Sequence, residues 1–500
     1  MEKEKIHFIG ICGVAMSALA LALKKAGHEI TGSDKGVYPP ISTYLKKSGI
    51  NYYVGWHPEL MTKNGNPDLV VVGNVAGSTN PEWLYVQNNN IPYKSYPEIM
   101  ADFFIKKNSI VCAGTYGKTS TTTLLAWILK NADMDPSYMF GGLSQNNIPA
   151  ANIGDSDWSV VEGDEYKSSR WDNGAKFFHY KPTHLLLTSV KWDHADVYPT
   201  EKNYLEAFEK LIKTLPENAL MVVSENISPA IINKVQKKVH CHSRESGNPG
   251  ASTSQPLDPR FRGDDNNIDG PETIIYGQSE NCDYQYDDIN QTTKGLNFNI
   301  SYENQIYNIK TKVLGTYMAE NICGAFAMAH QIGIQPELIV KSLDQFTGIK
   351  RRLEKRGQVK TRAIVYDDIA HSPDKVKSIL KTLKEVYTGK LIAIFEPNTG
   401  NRKQEATPAY HNAFELADEV IIPRLTLLKA DPKNPSFDGL ELKNIISKTH
   451  NQTKYIDDDE KLIEHLEKNT KKEDTVVFLG SHGFRGMIDE LINHPLPPPS

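Results

Sequence analysis

The chain has 500 residues, of which 39% are hydrophobic and 23% charged, so it is long enough for several domains with buried cores. Its formal charge is −5 and no block of basic residues is visible, which argues against nucleic acid as a partner. Five cysteines without C-x-x-C spacing argue against a disulfide framework or a zinc site, and without a visible signal peptide or membrane-length apolar run we expect a cytoplasmic protein that has no stable membrane association.

The first predicted domain, residues 1–105, alternates strands and helices. "IHFIGICG" is an apolar strand that ends in a glycine turn, and "VAMSALALALKKAG" has the apolar spacing of a helix. "HEITGSD" and "PDLVVVGN" are further strands, and the second is a continuous apolar run of the kind that a parallel sheet buries on both faces. The alternation predicts a doubly wound, Rossmann-like α/β sheet.

The second and third predicted domains repeat this alternation. In residues 106–347, the strand "NSIVCAG" leads through the glycine and lysine loop "TYGK" to the helix "TSTTTLLAWILKNA", and this order predicts a central P-loop ATPase domain. In residues 348–493, strands such as "KLIAIFEPN" and "DTVVFLGSHG" predict a C-terminal Rossmann-like domain. The tail 494–500, "HPLPPPS", is expected to be disordered.

One segment of the central domain, residues 241–272, does not fit an α/β pattern. It is rich in Pro, Gly, Ser and Asp and has no hydrophobic periodicity. A functional lid is one interpretation. We favour a passive surface insertion, because the amino-acid sequence of the segment resembles translated mobile palindromic repeats. A surface insertion also costs little stability, since loop-closure entropy grows slowly with loop length.

The stretch "IVCAGTYGKTSTTTLL" has the character of a phosphate-binding loop. Gly114 and Gly117 permit a tight turn, Lys118 can reach the β- and γ-phosphates, and the Thr119 hydroxyl can bind Mg²⁺. The strict pattern demands a glycine where Cys112 stands, so an ordinary turn of small residues is the alternative. The position between a clear strand and a clear helix favours the phosphate loop.

Acidic residues follow two later strands of the central domain. Glu162 and Glu165 flank Asp164 at the end of "WSVV", and strand ends are where parallel sheets bind ligands. Carboxylates there suit Mg²⁺, although a solvated acidic turn is the alternative. His194, in "KWDHADVY", is a candidate for a second metal position, against the structural role that a lone histidine more often has.

Two further sites lie outside the central domain. In "GIKRRLEKRG", Arg351 or Arg352 can neutralise a transferred phosphate, or form part of a basic linker. The acidic pair of "VYDDIAHSPDKV" can hold ribose hydroxyls. The N-terminal loop "GICGVAMS" is a weak dinucleotide fingerprint, because Cys12 replaces the middle glycine, but it is a fair cradle for a diphosphate.

Taken together, these motifs resemble those of the Mur ligases, the ATP-dependent amide-forming enzymes of peptidoglycan synthesis. The resemblance covers nearly the whole chain outside the insertion and includes "IGICGVAMSALA", "AGTYGKTSTT", "EGDEY", "DHADVY", "GIKRRLE" and "DDIAHSPD". It implies three domains that bind a UDP-sugar, ATP and the incoming amino compound in turn. Tyr116 departs from the pattern, because the family often has His there.

The resemblance also implies roles for particular residues. Catalytic roles fall to Lys118, Glu162, His194 and Arg352. The expected contacts with ATP are Gly114, Thr115, Gly117, Lys118, Thr119, Ser120, Asn321, Arg352, Asp368 and His371. The expected Mg²⁺ ligands are Thr119, Glu162, Glu165 and His194. The expected contacts with the UDP-sugar are Gly10, Gly13, Met16, Ser33 and Asp34.

The activity that the resemblance implies is the ATP-dependent joining of UDP-N-acetylmuramate to L-alanyl-γ-D-glutamyl-meso-diaminopimelate, through an acyl phosphate, in peptidoglycan recycling. Stretches such as "VVVGNVAGSTNPE" and "FLGSHGFRGM" are similar to the family member with that activity. L-alanine as the acceptor is one alternative, and a catalytically inactive nucleotide-binding homologue is another. A monomer and a homodimer are both compatible with the sequence.

Deletion of residues 243–268 tests the passive interpretation of the insertion. We expect the shortened chain to release phosphate from ATP at the rate of the full chain, because the deleted residues would contribute nothing to the site. Loss of turnover in a deletant whose circular dichroism spectrum is unchanged would show instead that the segment is functional.

Overall fold

The computed structural model describes residues 3–37, 41–192, 197–229, 231, 271–426 and 435–493. Within these ranges the strands form three sheets. No helix in these ranges combines the length and the apolar character that a membrane crossing requires. The predicted tail, residues 494–500, lies outside the described residues.

The first sheet follows the predicted Rossmann-like pattern. Its five strands, β1 to β5, are Lys5–Ile9, Glu29–Asp34, Asn51–Val54, Leu69–Val72 and Tyr93–Ser95. The helices α1 to α5 are Val14–Lys25, Ile41–Lys47, Pro58–Met61, Pro81–Asn88 and Tyr96–Phe103. The strands pair in parallel in the order β3-β2-β1-β4-β5. The strand order therefore reverses beside β1, and such switch points are where open α/β sheets bind ligands.

The second sheet has ten strands. These strands, β6 to β15, are Asn108–Ala113, Ser137–Met139, Ala151–Asn152, Trp158–Gly163, His184–Leu187, Leu220–Ser224, Glu272–Gly277, Tyr284–Thr292, Gly295–Tyr302 and Gln305–Thr311. Their order is β15-β14-β13-β12-β11-β10-β6-β9-β7-β8. The helices α6 to α9 are Lys118–Asn131, Glu201–Lys213, Tyr317–Gln331 and Pro336–Gln345, and a 3₁₀ turn covers Lys176–His179. β6 pairs in parallel with both β9 and β10, so the carboxyl ends of these three strands lie at one edge of the sheet.

The predicted insertion at 241–272 lies almost entirely outside the described residues. The structure does describe its last two positions, and Glu272 is the first residue of β12. The predicted boundary is therefore wrong at Glu272, which pairs with Leu220 of β11.

The third sheet has six strands, β16 to β21. They are Glu354–Gln358, Ile364–Asp368, Leu391–Glu396, Glu419–Pro423, Thr453–Ile456 and Thr475–Gly480, in the order β16-β17-β21-β18-β19-β20. The helices α10 to α13 are Pro373–Val386, Gly439–Ile446, Asp459–Asn469 and Met487–Ile492. Only β16 runs antiparallel to its neighbour among the pairs described for this sheet.

Apolar side chains cover both faces of the third sheet. Ala393 and Phe395 of β18 pack in one buried cluster, whereas Ile392 and Ile394 pack in another. Successive side chains of a strand point to opposite faces, so the two clusters lie on either side of the sheet. This explains why the strand reads as a continuous apolar run rather than as an alternation.

By internal contacts the chain divides into two compact units. The first comprises Met1–Asp288, Phe298–Lys310 and Ala319–Phe346, and the second comprises Ile289–Asn297, Thr311–Met318 and Thr347–Ser500. The first unit therefore holds the whole first sheet and most of the second. The predicted domain limits at 105/106 and 347/348 stay a prediction.

A glycine sets how closely α8 packs on the second sheet. A Cβ at Gly324 would lie 2.7 Å from Cζ of Tyr276 in β12, and the Tyr276 ring is fully buried. Asn321 lies one turn earlier on the same helix. The absence of a side chain at Gly324 therefore lets α8 bring Asn321 close to the sheet.

Gly324→Ala tests this packing. Helix propensity alone would stabilise the variant by roughly 0.5–1 kcal/mol. We expect the clash with Tyr276 to outweigh this gain in stability, since overpacking a core typically costs about 1–3 kcal/mol. The midpoint of guanidinium unfolding should fall, whereas Gly483→Ala, where an added Cβ meets nothing within 4 Å, should leave it unchanged or higher. A Gly324→Ala midpoint above that of the wild type would contradict the argument.

Candidate functional site

The loop between β6 and α6 requires two glycines. Gly114 and Gly117 have φ values of +139° and +84°, a region that side chains rarely enter. A Cβ at Gly114 would lie 2.3 Å from Oγ1 of Thr188, and one at Gly117 would lie 2.3 Å from Oδ1 of Asn321. The predicted contact residue Asn321 therefore lies directly over the loop, and neither glycine position has room for a side chain.

Lys118, the first residue of α6, is held by an ion pair. Its Nζ lies 2.8 Å from Oε2 of Glu165 and donates to the carbonyl oxygen of Gly114 at 2.6 Å. The Glu165 side chain is fully buried, and Tyr204 donates from its hydroxyl to the same carboxylate at 3.3 Å. The lysine is thus fixed at the mouth of the loop by a carboxylate that follows β9.

Thr119 and Glu162 form the second contact between α6 and β9. The Thr119 hydroxyl donates to Oε1 of Glu162 at 2.8 Å, and the backbone N–H of Gly141 donates to Oε2 at 2.8 Å. A hydroxyl beside a carboxylate at a helix N-terminus is a donor set that suits Mg²⁺, which takes one or two carboxylates plus phosphate and water. At this loop as elsewhere within the described ranges, no group of three or more His, Cys, Asp or Glu side chains is placed to hold a metal ion.

Asp164, between the two glutamates, has a different role. Its Oδ2 lies 2.5 Å from Nζ of Lys176. Burial raises the pKa of Asp164, but Lys176 and the N–H of Tyr166 outweigh it and hold the pKa below its usual value. The carboxylate therefore ties the chain after β9 to the 3₁₀ turn.

The other predicted loop residues take different positions. The Thr115 hydroxyl donates to the carbonyl oxygen of Lys191 at 2.7 Å and lies 2.8 Å from the Tyr204 hydroxyl, so it is engaged within the protein. Ser120 lies in the first turn of α6, and Tyr116 is 48% exposed beside the loop. His194 lies outside the described residues, so the second metal position stays a prediction.

Residues at the end of β10 were missed in the sequence. The Ser189 carbonyl oxygen accepts a hydrogen bond from the Thr115 N–H at 2.9 Å. The Ser189 hydroxyl accepts one from the Tyr116 N–H at 2.9 Å. Thr188 donates from its hydroxyl to the Tyr116 carbonyl oxygen at 2.5 Å. Their position directly after a buried strand, as for Glu165, is the signal that could have found them.

The glycine loop of the first sheet packs on the end of β2. Gly10, with a φ of +91°, donates from its N–H to the Ser33 carbonyl oxygen at 2.8 Å. The Cys12 N–H donates to Oδ2 of Asp34 at 2.8 Å. Gly13 follows immediately before α1, where Met16 is buried. The structure thus brings together the five residues predicted for the UDP-sugar.

A buried carboxylate, Glu82, lies beneath this loop and was not predicted. It is fully buried, and it accepts from the Ser33 hydroxyl at 2.5 Å, the Tyr53 hydroxyl at 2.6 Å and the His57 N–H at 2.8 Å. Burial raises the pKa of Glu82, but hydrogen bonds led by His7 and Ser33 outweigh it, so the pKa lies below its usual value. The Ser33 hydroxyl is therefore engaged with Glu82.

In the second unit, the two neighbouring arginines differ in their surroundings. Arg351 donates to the carbonyl oxygens of Gly480 at 2.5 Å and His482 at 2.8 Å, and it lies 3.4 Å from Oδ1 of Asp367. Arg352 is exposed. Arg351 thus holds the end of β21, and Arg352 is the arginine whose side chain solvent can reach.

Asp368 ends β17 and is buried. Its carboxylate accepts from the N–H groups of Leu353 at 2.6 Å and Ala370 at 2.7 Å. Burial raises the pKa of Asp368 to about 6, against the Arg352 charge and these N–H groups, which lower it. His371 follows, and its Nδ1 lies 2.7 Å from the Ile369 carbonyl oxygen. The Arg352 charge thus acts on Asp368. The contacts of Arg352, Asp368 and His371 with ATP stay a prediction.

Three family models match the chain. They are the Mur ligase family, catalytic domain (residues 5–108), the Mur ligase middle domain (residues 112–255) and the Mur ligase, glutamate ligase domain (residues 351–482). These matches confirm the predicted α/β fold of three domains.

Curated relatives and a solved structure agree with this result. The UDP-N-acetylmuramate–L-alanyl-γ-D-glutamyl-meso-2,6-diaminoheptandioate ligase of Haemophilus influenzae is 30% identical over 82% of this chain and 84% of its own. The UDP-N-acetylmuramate–L-alanine ligase of Dictyoglomus turgidum is 29% identical over 89% of this chain and 86% of its own. The crystal structure of a UDP-N-acetylmuramate–alanine ligase from Thermotoga maritima matches with a TM-score of 0.75 at 22% identity, over 98% of both chains, and shows the fold alone.

Members of the matched family are ATP-dependent ligases of peptidoglycan synthesis that act on small molecules. The names of the relatives divide between a peptide and L-alanine as the acceptor. The family models, the 30% identity and the arrangement of the phosphate loop lead to one conclusion: the chain belongs to the Mur ligase family and is an ATP-dependent ligase.

Proposed function

We propose that this chain joins UDP-N-acetylmuramate to L-alanyl-γ-D-glutamyl-meso-diaminopimelate in peptidoglycan recycling. The observation that carries the ligase chemistry is the convergence of Lys118, Thr119 and Glu162 at the carboxyl edge of β6 and β9. The similarity to the Haemophilus influenzae ligase supports the choice of acceptor.

The proposed reaction forms an amide by activating a carboxylate. The lactate carboxylate of UDP-N-acetylmuramate attacks the γ-phosphorus of ATP, and ADP leaves. The amino group of the peptide then attacks the carbonyl carbon of the acyl phosphate, and inorganic phosphate leaves. Phosphoryl transfer depends mainly on positioning and charge neutralisation, so a fixed lysine at the loop is the group that the first step needs.

The residues present fit Mg²⁺ at the phosphate loop. Thr119 and Glu162 would hold it, with Glu165 in support, and His194 is the proposed ligand of a second ion. A bound Mg²⁺ would neutralise phosphate charge during transfer. Before any ligand binds, Glu162 is kept in place by the Thr119 hydroxyl and the Gly141 N–H, so its oxygens already face the start of α6.

The remaining proposed contacts with ATP come from Arg352, Asp368, His371 and Asn321. The exposed guanidinium of Arg352 would stabilise the transferred phosphate, since its planar fork matches phosphate oxygens. Asp368 would hold the ribose of ATP. His371, and Asn321 over the loop, would contact adenine or a nearby phosphate.

A cluster of charged side chains in the third sheet supports a peptide acceptor. Glu396 ends β18, is fully buried and accepts from the Thr426 N–H at 2.7 Å, while its Oε2 has no hydrogen-bond partner among the described residues. Arg485 lies 3.8 Å from that oxygen and forms an ion pair with Asp459, and His482 lies 3.7 Å from Oε1 of Glu396. Charges of both signs at one edge suit an acceptor with several carboxyl and amino groups better than they suit L-alanine.

Two alternatives remain from the sequence. L-alanine as the acceptor has the support of relatives that carry that name. The arrangement of Lys118, Thr119 and Glu162 disfavours an inactive nucleotide-binding homologue. In a protein without activity, selection would not maintain these contacts.

Lys118→Ala tests the ligase chemistry. With ATP, Mg²⁺, UDP-N-acetylmuramate and the tripeptide all present, we expect phosphate release to fall at least roughly 100-fold, because the variant lacks a charge that stabilises the transferred phosphoryl group. Lys130→Ala, an exposed lysine at the other end of α6, is the matched control and should keep the wild-type rate. Full activity of Lys118→Ala would refute the proposed role, and a wild type without phosphate release would favour the inactive homologue.

A comparison of acceptors tests the proposed substrate. The value of kcat/KM should be roughly 100-fold higher with the tripeptide than with L-alanine, because L-alanine lacks at least two of the charged groups that the edge of the third sheet can bind. The measurement is phosphate release at fixed ATP and UDP-N-acetylmuramate. Equal or better turnover of L-alanine would assign the chain to the alternative acceptor.

A further inference from the structure

The stretch after β9 folds into a tight hairpin, residues 167–175. Lys167 and Ala175 form an antiparallel bridge at its base, and the Ser168 N–H donates to the Gly174 carbonyl oxygen at 2.8 Å. At the far end, the Ser169 N–H donates to the carbonyl oxygen of Asp172 at 3.0 Å. This turn places Arg170 and Trp171, here called the hairpin tip, at the end of the hairpin.

Asp172 stiffens the hairpin from inside. Its Oδ1 accepts from the Gly174 N–H at 2.7 Å, and its Oδ2 lies 2.8 Å from Nε2 of His179. Burial raises the pKa of Asp172, but these contacts outweigh it and the pKa lies below its usual value. The carboxylate is therefore ionised at neutral pH, and the tip is ordered by contacts that do not involve the tip side chains themselves.

The hairpin tip contacts the first sheet at two places. Arg170 donates from Nε to the carbonyl oxygen of Ala76, a buried residue. The Trp171 ring lies 5.6 Å from the ring of Trp83 in α4 and 5.2 Å, edge to face, from that of Tyr93 in β5. One contact is a charge-assisted hydrogen bond, and the other is an aromatic cluster that leaves Trp171 39% exposed.

Ala76 belongs to the loop between β4 and α4, residues 73–80, which closes against the glycine loop of the first sheet. A Cβ at Gly10 would lie 2.6 Å from Cγ2 of Val75, and one at Gly73 would lie 2.8 Å from the Ile9 carbonyl oxygen. At Gly73 the two loops pack backbone to backbone, and at Gly10 the Val75 side chain fills the space that another side chain would need. The position of loop 73–80 therefore sets one wall of the cradle formed around Gly10.

The other end of the same stretch holds the phosphate loop. Glu162 accepts from Thr119, and Glu165 forms the ion pair with Lys118. Residues 162–176 thus run without interruption from the start of α6 to the hairpin and back to Lys176. A single stretch of chain therefore contacts both the phosphate loop and loop 73–80, which is the wall of the cradle around Gly10.

We propose that Arg170 and Trp171 are positioning residues for the UDP-sugar, which act by holding loop 73–80 against the glycine loop of the first sheet. The inference rests on the proposed function and on the expected binding of the UDP-sugar at the cradle around Gly10. Neither residue touches the groups that react. They act on the substrate through the loop they hold.

The expected consequence is a selective change in affinity. Without the hairpin tip contacts, loop 73–80 samples other positions. The apparent affinity for the UDP-sugar then falls in proportion to the fraction of molecules that keep the closed arrangement. The contacts of Lys118, Thr119 and Glu162 do not involve the tip, so ATP should bind as before. A purely structural role would instead lower the amount of active protein and leave both KM values unchanged.

Steady-state kinetics of Arg170→Ala and Trp171→Ala test the proposal. The KM for UDP-N-acetylmuramate should rise about tenfold, and the KM for ATP should stay within about twofold of the wild type. Arg170→Lys keeps a cationic donor and Trp171→Phe keeps a ring, so each should recover most of the affinity. Lys202→Ala and Ile306→Ala, which change exposed side chains of the same compact unit, are the matched controls.

Hydrogen–deuterium exchange of the protein without substrates gives an independent measurement. In Arg170→Ala the amides of residues 73–80 should exchange at least about tenfold faster, and those of α6 should not change. Unchanged exchange in this loop, or equal rises of both KM values, would overturn the proposal. Because this readout needs no substrate, a wild type that does not use UDP-N-acetylmuramate would refute the proposed function and leave the test of the hairpin tip intact.

Discussion

The register of the β6–β9 pair is the constraint on which the nucleotide site depends. Cys112, two residues before Gly114, lies opposite Glu162, so the carboxylates at and just after the end of β9 meet the first residues of α6. A shift of one residue would turn every side chain of β9 to the other face. Buried apolar residues such as Val160 and Val161 oppose such a shift, because exposing them would cost hydrophobic free energy.

Neighbouring residues with the same chemistry serve different purposes in this fold. Arg351 donates hydrogen bonds to the end of β21 and pairs with Asp367, whereas Arg352 is exposed to solvent. Glu162 and Glu165 likewise divide between Thr119 and Lys118, while Asp164 pairs with Lys176. In each case the backbone direction next to a strand decides which side chain faces the site.

Local patterns in the sequence were sufficient for most of the fold. The apolar run of Leu69–Val72 and the glycine turn after Ile9 predict their elements directly, because burial and backbone freedom act on a few consecutive residues. The candidate nucleotide site was predictable in part for the same reason, since Lys118 follows a recognisable strand and glycine loop and Glu162 lies at the end of another strand. Asn321 was identified only through the family pattern, and its place over Gly117 depends on how α8 packs against β12.

Contacts between distant parts of the chain could not be predicted in this way. Glu82 looks like an ordinary first-turn acid of a helix that begins at Pro81, and nothing nearby in the sequence shows that Ser33 and Tyr53 donate to it. The approach of Arg170 to Ala76 likewise joins two loops whose own sequences carry no strong pattern. Such pairs are decided by tertiary packing, which a single sequence does not display.

The Ser33–Glu82 hydrogen bond changes how mutagenesis of the first sheet should be interpreted. Removing the Ser33 hydroxyl would take one donor from a buried carboxylate, which typically costs about 1–3 kcal/mol of folding free energy. Reduced activity of an alanine variant at this position would then reflect a smaller population of folded molecules, even with every sugar contact intact. Asp34 is the cleaner probe of the neighbouring loop, because its carboxylate is bound by the N–H groups of Cys12 and Gly36 at the partly exposed end of β2.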